Sequence, residues 1–322
     1  MAPVIEAMDL RRTFQVATGT FRRHRRTIEA VRGLTFTVGR GELFGLLGPN
    51  GAGKTTTIKM LITLLLPTGG SARVLGIDVA AAPRAVRQRI GYTFGGDRGL
   101  YDRLSARDNL RYFAELYGVP PRTQRARIGE LLELVGLNGR ERERVEVFSR
   151  GMRQRLHLAR CLLHDPDVLF LDEPTIGIDP VGARDLRQTI ARLAETGKTI
   201  LLTTHYMFEA DELCDRVAVI NGGAIVAEGV PADLKSRVQD GHVLEIETYG
   251  VPDPVVSAVR GLDGVRSVTF EERGHTLVLV VQSDPKVEVT RAVLACLDGV
   301  PFGRVASREP TLEDAYVALV GG

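Results

Sequence analysis

Nine residues, Gly48 to Thr56, constrain this chain more than any other stretch. They read Gly-Pro-Asn-Gly-Ala-Gly-Lys-Thr-Thr. Glu42 to Leu47 before them is apolar enough for a buried strand, and Thr57 to Leu66 after them is apolar at helical spacing. A strand therefore runs into a glycine-rich loop and out into a helix, the setting in which this pattern binds phosphate. Gly48, Gly51 and Gly53 permit backbone angles that other residues resist, so successive N–H groups can converge on one anion. The helix opening near Lys54 adds its positive dipole end. Lys54 is placed to reach the β- and γ-phosphates of a nucleoside triphosphate, and the Thr55 hydroxyl to ligate Mg²⁺. With average residue usage the pattern arises by chance in roughly one chain of this length in a hundred. Triphosphate binding follows from the loop; the use made of the nucleotide does not.

A second constellation bears on that use. Val168 to Leu171 is a continuous apolar run bounded by Pro166 and Pro174, as in a buried parallel strand, and it ends in Asp172-Glu173. Adjacent carboxylates at the end of such a strand are costly unless something uses their charge. Beside a phosphate loop the natural user is an Mg²⁺–phosphate complex: Asp172 holds the metal and Glu173 orients and polarises an attacking water. The competing reading is a structural salt bridge. Thr199 to Thr203 is another buried strand, with His205 at its tip. Of the six histidines only His205 follows a buried strand in this way; the others read as surface or packing residues.

The 322 residues suffice for two domains or one large one, and 44% hydrophobic residues allow a substantial core. A net charge of +2 gives no global argument for nucleic acid. Cys161, Cys214 and Cys296 are too few and scattered for a disulfide framework or metal cluster; Cys161 and Cys214 sit among apolar neighbours, which fits core packing in a reducing compartment. No signal peptide opens the chain and no apolar run is long enough to span a bilayer. If the protein drives anything across a membrane, another chain supplies the path.

In chain order, Val4 to Leu10 reads as a first strand, followed by Phe14. Gln15 to Thr27 is a polar insert carrying the basic run Arg22 to Arg26, read as a solvated hairpin loop or, more sharply, as a contact with anionic lipid or a membrane partner. Val31 to Val38 alternates as a half-exposed strand, and Ile90 to Phe94 forms another that ends in Gly95-Gly96-Asp97. From Ser105 to about Arg144 the pattern is helical, with Ser105 and Asp108 as an N-terminal cap, giving a helical subdomain inserted in an α/β domain. Ser149 caps a further helix through Leu163, an exposed helix N-terminus and so a second anion site, though an ordinary cap is the default. Gly177 to Pro180 is a turn into a helix to Glu195, and Val217 to Val226 a hairpin. Beyond Gly229 to Arg237 the order is strand, helix, strand, strand, helix, strand, that of a small ferredoxin-like unit, with a closing helix at Thr311 to Leu319 and no catalytic constellation.

The order of these motifs resembles the ATP-binding subunits of ABC transporters over roughly Val4 to Glu228. The phosphate loop is similar to the family form, which implies ATP contacts at Gly48, Asn50, Gly51, Gly53, Lys54, Thr55 and Thr56. Ser149 to Arg155 resembles the signature motif, Leu171 to Thr175 the second nucleotide motif, Gly177 to Pro180 the loop that crosses a dimer interface through Asp179, and Thr203 to His205 the histidine switch. Phe14 falls where the family stacks an aromatic residue on adenine. The tail, Arg308 to Asp314, is similar to that of daunorubicin-resistance-type exporter subunits. The resemblance implies a P-loop ATPase domain over residues 1–230, with a parallel-sheet core, an antiparallel β subdomain and a helical subdomain at about 97–165, followed by an α+β ferredoxin-like domain over 231–322. It also implies ATP and Mg²⁺ as cofactors, with Thr55 and Asp172 on the metal and Glu173 and His205 in hydrolysis. A head-to-tail dimer, expected as a homodimer, would clamp ATP between the phosphate loop of one chain and Ser149 and Gly151 of the other. A separate membrane permease would convert that motion into export of a drug, lipid or glycan at the cytoplasmic face of the membrane.

Two departures stand out. The signature carries Arg150 and Met152 where the commonest form has Gly and Gln, and activity is expected to survive this. After Phe94 the family usually places a glutamine that touches Mg²⁺ and the attacking water; here Gly95 and Gly96 stand, so coupling at this loop is expected to be altered while hydrolysis persists. Two other readings compete. A soluble ABC-type ATPase of translation or DNA maintenance is disfavoured by a single ATP domain and the lack of a sustained heptad run. A non-hydrolysing regulatory module is disfavoured by Glu173 and His205.

Overall fold

The computed structural model describes residues 2–18, 24–94, 99–238, 243–273, 276–284, 287–309 and 311–320. The chain divides into two compact units, Met1–Val230 and Pro231–Gly322. In the first, β1 (Ile5–Thr18), β2 (His24–Val38), β4 (Gly69–Val74) and β5 (Ile77–Asp78) form an antiparallel sheet in the order β2-β1-β4-β5. The second sheet holds β3 (Leu43–Leu47), β6 (Ile90–Phe94), β7 (Val168–Asp172), β8 (Thr199–Thr204), β9 (Arg216–Asn221) and β10 (Ala224–Gly229). Its order is β10-β9-β3-β8-β7-β6, parallel throughout except for the β9–β10 hairpin at one edge.

This order positions the site. β3 and β7 both pair with β8, so the C-terminal ends of three neighbouring parallel strands open on the same edge. Every residue of β3, β7 and β8 is buried. That burial explains their continuous apolar runs, since a parallel strand is covered on both faces. Phe36 of β2 stacks on Phe44 of β3 with centroids 5.5 Å apart, tying the antiparallel sheet to the parallel one.

The helices of this unit are α1 (Lys54–Leu61), α2 (Pro83–Arg87), α3 (Ala106–Leu116), α4 (Pro121–Leu134), α5 (Arg150–Cys161), α6 (Pro180–Glu195) and α7 (Met207–Leu213). Ser105 accepts from the Asp108 N–H at 3.1 Å and Ser149 from the Met152 N–H at 3.2 Å, so both serines cap helices. Cys161 and Cys214 are buried, and burial pushes the Cys161 thiol up to about 12.

Two expectations are corrected. The helix after the phosphate loop does not run to Leu66. It ends at Leu61, Thr63 turns into the left-handed region at φ 67°, and Leu64 and Leu66 are exposed. Past the helix the apolar run splits: Ile62 is buried in the core and Leu65 packs against it, while Leu64 and Leu66 face outward. The stretch Gln15 to Thr27 is likewise not all loop. β1 and β2 stay paired from Phe14–Ile28 out to Thr18–His24. Polarity signals exposure, whereas ladder formation needs only backbone pairing and β-favouring residues such as Thr13, Phe14 and Ile28. Residues 19–23 of the basic insert, including Arg22, lie outside the described residues.

The second unit contains α8 (Pro231–Val238), β11 (Val243–Thr248), α9 (Asp253–Arg260), β12 (Val265–Arg273), β13 (Thr276–Ser283), α10 (Thr290–Cys296), β14 (Phe302–Arg308) and α11 (Leu312–Val320). Its antiparallel sheet has the order β12-β13-β11-β14. With the two crossover helices this is the ferredoxin-like arrangement, closed over a core of Leu244, Ile246, Val259, Leu279, Val281 and Val293. Arg308 fixes the start of α11 through 2.6 Å contacts to Glu245 and to Asp314, the residue that also accepts the Thr311 N–H.

Candidate active site

Between β3 and α1 the chain turns on three glycines with positive φ. Gly53 has φ 109°, and a Cβ there would lie 2.5 Å from the Ala30 carbonyl oxygen of β2. A Cβ on Gly48 would lie 2.2 Å from the carbonyl oxygen of Ile220. The loop is thus held between two strands at distances only hydrogen permits. Gly51 has φ 82° with open space around it, so conformation alone accounts for that glycine.

Lys54 is 4% exposed, an unusual burial for an ammonium group. Its Nζ donates to Gly48 O at 2.6 Å and Pro49 O at 3.2 Å, folding the side chain back over the loop, and stands 3.4 Å from Glu173 Oε1. The Thr55 hydroxyl donates to Asp172 Oδ1 at 3.1 Å. The same carboxylate oxygen accepts the Thr203 hydroxyl at 2.5 Å. Burial pushes the Asp172 carboxyl above the usual carboxylate range, against the hydrogen bonds from Thr203 and Thr55; the neighbouring Glu173 adds to the rise and Lys54 opposes it.

Glu173 has left-handed backbone, φ 49°, a conformation that costs a non-glycine residue about 1–2 kcal/mol. Its N–H is held by both the carbonyl oxygen of Thr203, at 3.0 Å, and the Thr203 hydroxyl, at 3.1 Å. That turn aims its carboxylate at two partners: Lys54 on one side, and His205 on the other, whose Nδ1 lies 3.3 Å from Glu173 Oε2. His205 Nδ1 is buried without an aligned hydrogen-bond partner. Strain persisting where the surroundings over-determine it is characteristic of functional positions.

Asn50, Thr55, Lys59, Phe94, Arg150, Asp172, Glu173 and Ile176 line a cleft of about 490 Å³. Two oxygen donors, Thr55 Oγ1 and Asp172 Oδ1, are 3.1 Å apart. That is close to the edge of an octahedron with metal–oxygen bonds of about 2.1 Å, and oxygen-only donors suit Mg²⁺. Among the described residues no group of three or more His, Cys, Asp or Glu could hold a metal. One carboxylate and one hydroxyl are what a cation sharing its shell with phosphates and water requires.

The remaining expected residues are placed elsewhere. Thr56 is half-buried at the start of α1. Phe14 is paired with Ile28, two residues along β2 from the Ala30 carbonyl that faces Gly53, and the Arg12 guanidinium lies over its ring at 4.7 Å. Ser149 is exposed as the cap of α5. A Cβ on Gly151 would meet Ile178 at 3.0 Å, so that glycine is already explained by packing within the chain. Asp179 caps α6 by accepting the Gly182 N–H at 2.9 Å. Gly95, Gly96 and Asp97 lie outside the described residues; β6 ends at Phe94, opposite Asp172. Sequence reasoning placed Thr203 only at the start of the histidine switch and gave no role to Glu209; the Thr203 hydroxyl donates to the Asp172 carboxylate and accepts the Glu173 N–H, and Glu209 is buried behind the site. The available signal was Thr203-Thr204 closing an otherwise apolar buried strand.

Known proteins similar to this chain point to one family. The family model described as ABC transporter matches residues 31–176. The linearmycin resistance ATP-binding protein of Bacillus subtilis is 35% identical over 291 residues, covering 90% of this chain and 93% of that protein. The Nod factor export ATP-binding protein I of Burkholderia orbicola is 42% identical, covering 90% and 92%. The daunorubicin resistance ATP-binding protein of Streptomyces coeruleorubidus is 39% identical, covering 91% and 92%. Among solved structures, an ATP-binding subunit of an ABC transporter superposes with a TM-score of 0.61 at 30% identity, covering 73% of this chain and 92% of that one.

Proposed function

This chain belongs to the ABC transporter family, as an ATP-binding and ATP-hydrolysing protein, and from that premise we propose that it is the ATPase subunit of an exporter. One observation carries the hydrolytic assignment: the Glu173 carboxylate stands 3.3–3.4 Å from both Lys54 Nζ and His205 Nδ1, at the mouth of the phosphate loop.

In this reading the loop N–H groups from Gly48 to Thr56 cradle the ATP phosphates, with Asn50 on the wall of the cleft. Lys54 exchanges its contacts with Gly48 and Pro49 for the β- and γ-phosphates. Thr55 and Asp172 would hold Mg²⁺, which when bound would neutralise charge on the phosphates. Glu173 orients the attacking water and takes its proton. His205 keeps the Glu173 carboxylate aimed and reaches the γ-phosphate. Phe14 stacks on the adenine.

The exposed cap at Ser149 supports a second part of the reading. A helix N-terminus binds anions well, and Ser149 and Gly151 of one protomer would close over the γ-phosphate held by its partner, with Asp179 at the same interface. ATP then favours the closed dimer, hydrolysis releases it, and a permease uses the difference. No helix among the described residues is long and apolar enough to cross a membrane, so the membrane path is assigned to a separate permease, with this chain held at the cytoplasmic face. Resistance and export relatives support this over a role in translation or DNA maintenance. Lys54→Ala tests the assignment: it is expected to abolish ATP binding and turnover, and undiminished turnover would remove its basis.

A further inference from the structure

Behind the cleft lies a carboxylate that the reaction outlined above does not use. Glu209, on α7, is 2% exposed. Its Oε1 accepts the Thr175 hydroxyl at 2.5 Å and its Oε2 the Thr204 hydroxyl at 2.9 Å. Thr175 lies two residues beyond Glu173, and Thr204 immediately precedes His205. One carboxylate therefore grips both segments that carry the hydrolytic pair. Thr204 in turn accepts the Tyr206 N–H at 2.9 Å, so the turn at His205 is fixed from both sides.

A third element joins at the same point. Arg187 of α6, itself only 12% exposed, places Nη1 at 3.6 Å from Glu209 Oε1. It also donates to Glu212 at 2.8 Å and lies over the Phe208 ring at 5.1 Å. α6 is the helix that Asp179 caps. Burying a carboxylate and a guanidinium costs several kcal/mol of desolvation, and well-packed apolar side chains of like volume often stabilise as well or better. Stability alone is thus a weak reason for this group to be here. Glu173, meanwhile, holds a strained left-handed backbone that persists only if its surroundings over-determine it. The Thr203 contacts restrain its N–H; the Thr175–Glu209 bond restrains the chain that leaves it.

We propose that Glu209 is a positioning residue for ATP hydrolysis: bridging Thr175 and Thr204, it sets the separation of Glu173 and His205 and ties it to α6. This rests on the reading of Glu173 and His205 as the hydrolytic pair. Neither Lys54 nor Thr55 contacts the Glu209 bridge, and Lys54 meets the hydrolytic pair only at Glu173, so loss of the bridge leaves the backbone cradle of the phosphate loop in place. The expected signature is therefore a loss of kcat without a loss of ATP binding.

The test uses the full-length chain with a fluorescent ATP analogue for binding, phosphate release for turnover and a thermal melt for folding. Glu209→Ala is expected to lower kcat at least tenfold while KM and nucleotide affinity stay within twofold, with Glu209→Gln in between. Thr175→Val, which keeps shape but removes the hydroxyl, is expected to lose rate likewise, and Thr175→Ser to recover most of it. If Glu209→Ala does not fold, the Thr175 pair decides. Parent-level kcat in folded Glu209→Ala or in Thr175→Val overturns the proposal, as does an equal loss in Thr175→Val and Thr175→Ser. Parent-level turnover in Glu173→Gln would instead overturn the underlying assignment of the site.

Discussion

Thr203→Val isolates one hydroxyl at the centre of the site. Thr203 is fully buried at the end of β8, and valine matches its shape and its preference for strand. The substitution deletes the 2.5 Å donation to Asp172 and the 3.1 Å acceptance from the Glu173 N–H. The Glu173 N–H keeps the Thr203 carbonyl oxygen at 3.0 Å, so that loss is partly covered. Asp172 keeps only the Thr55 hydroxyl on the same oxygen, at 3.1 Å. A hydrogen bond to a charged group contributes about 1.5–3 kcal/mol, which makes a loss of about 2 kcal/mol the central expectation. For a unit the size of Met1–Val230 that lowers the melting midpoint by about 4–8 °C. Differential scanning calorimetry of the parent and the variant, without nucleotide, reads this directly. A midpoint within 1 °C of the parent would mean that the hydroxyl does not support the carboxylate pair and would refute the energetic reasoning.

Two further outcomes follow from the same geometry. Gly53→Ala puts a methyl group 2.5 Å from the Ala30 carbonyl oxygen at φ 109°; strain of about 2 kcal/mol lowers the melting midpoint by about 4–8 °C, and a calorimetric midpoint equal to the parent's would contradict it. His157 is buried in α5, and burial, helped by Arg160 and Arg153, pushes its pKa down to about 3. The unfolded chain takes up that proton near pH 6.5 while the folded one resists it, so this stability is present above pH 6.5 and lost as pH falls. Between pH 7.5 and 5.0 the loss is about 2 kcal/mol, and urea unfolding of His157→Gln should show a shallower dependence by that amount; an unchanged slope would contradict it.

What the sequence disclosed and what it hid divide along a physical line. The phosphate loop and Asp172-Glu173 are legible because their chemistry sits on consecutive residues at the ends of apolar runs. Ser105 and Ser149 are legible as caps because a cap and its N–H partner are three residues apart. Thr203 and Glu209 were not legible in their roles. Thr203 meets Asp172 across 31 positions, and Glu209 meets Thr175 across 34, separations that only the sheet order brings together. The end of α1 at Leu61 was hidden because Ile62 to Leu66 stays apolar after the helix has turned away. The β1–β2 ladder was hidden for the opposite reason, since its outer pairs are polar yet still paired.

The central claim is that Glu173 drives hydrolysis in a site completed by a second chain. Light scattering of Glu173→Gln at millimolar ATP and Mg²⁺ tests it most directly. The variant keeps the phosphate loop, Asp172 and the exposed Ser149 cap, but it lacks the group that takes the proton from water. It is expected to accumulate as an ATP-bound dimer of about twice the 35.2 kDa chain mass and to hydrolyse ATP far more slowly than the parent. A variant that stays monomeric while ATP is bound would contradict the shared site, and one that turns over at the parent rate would contradict the role of Glu173.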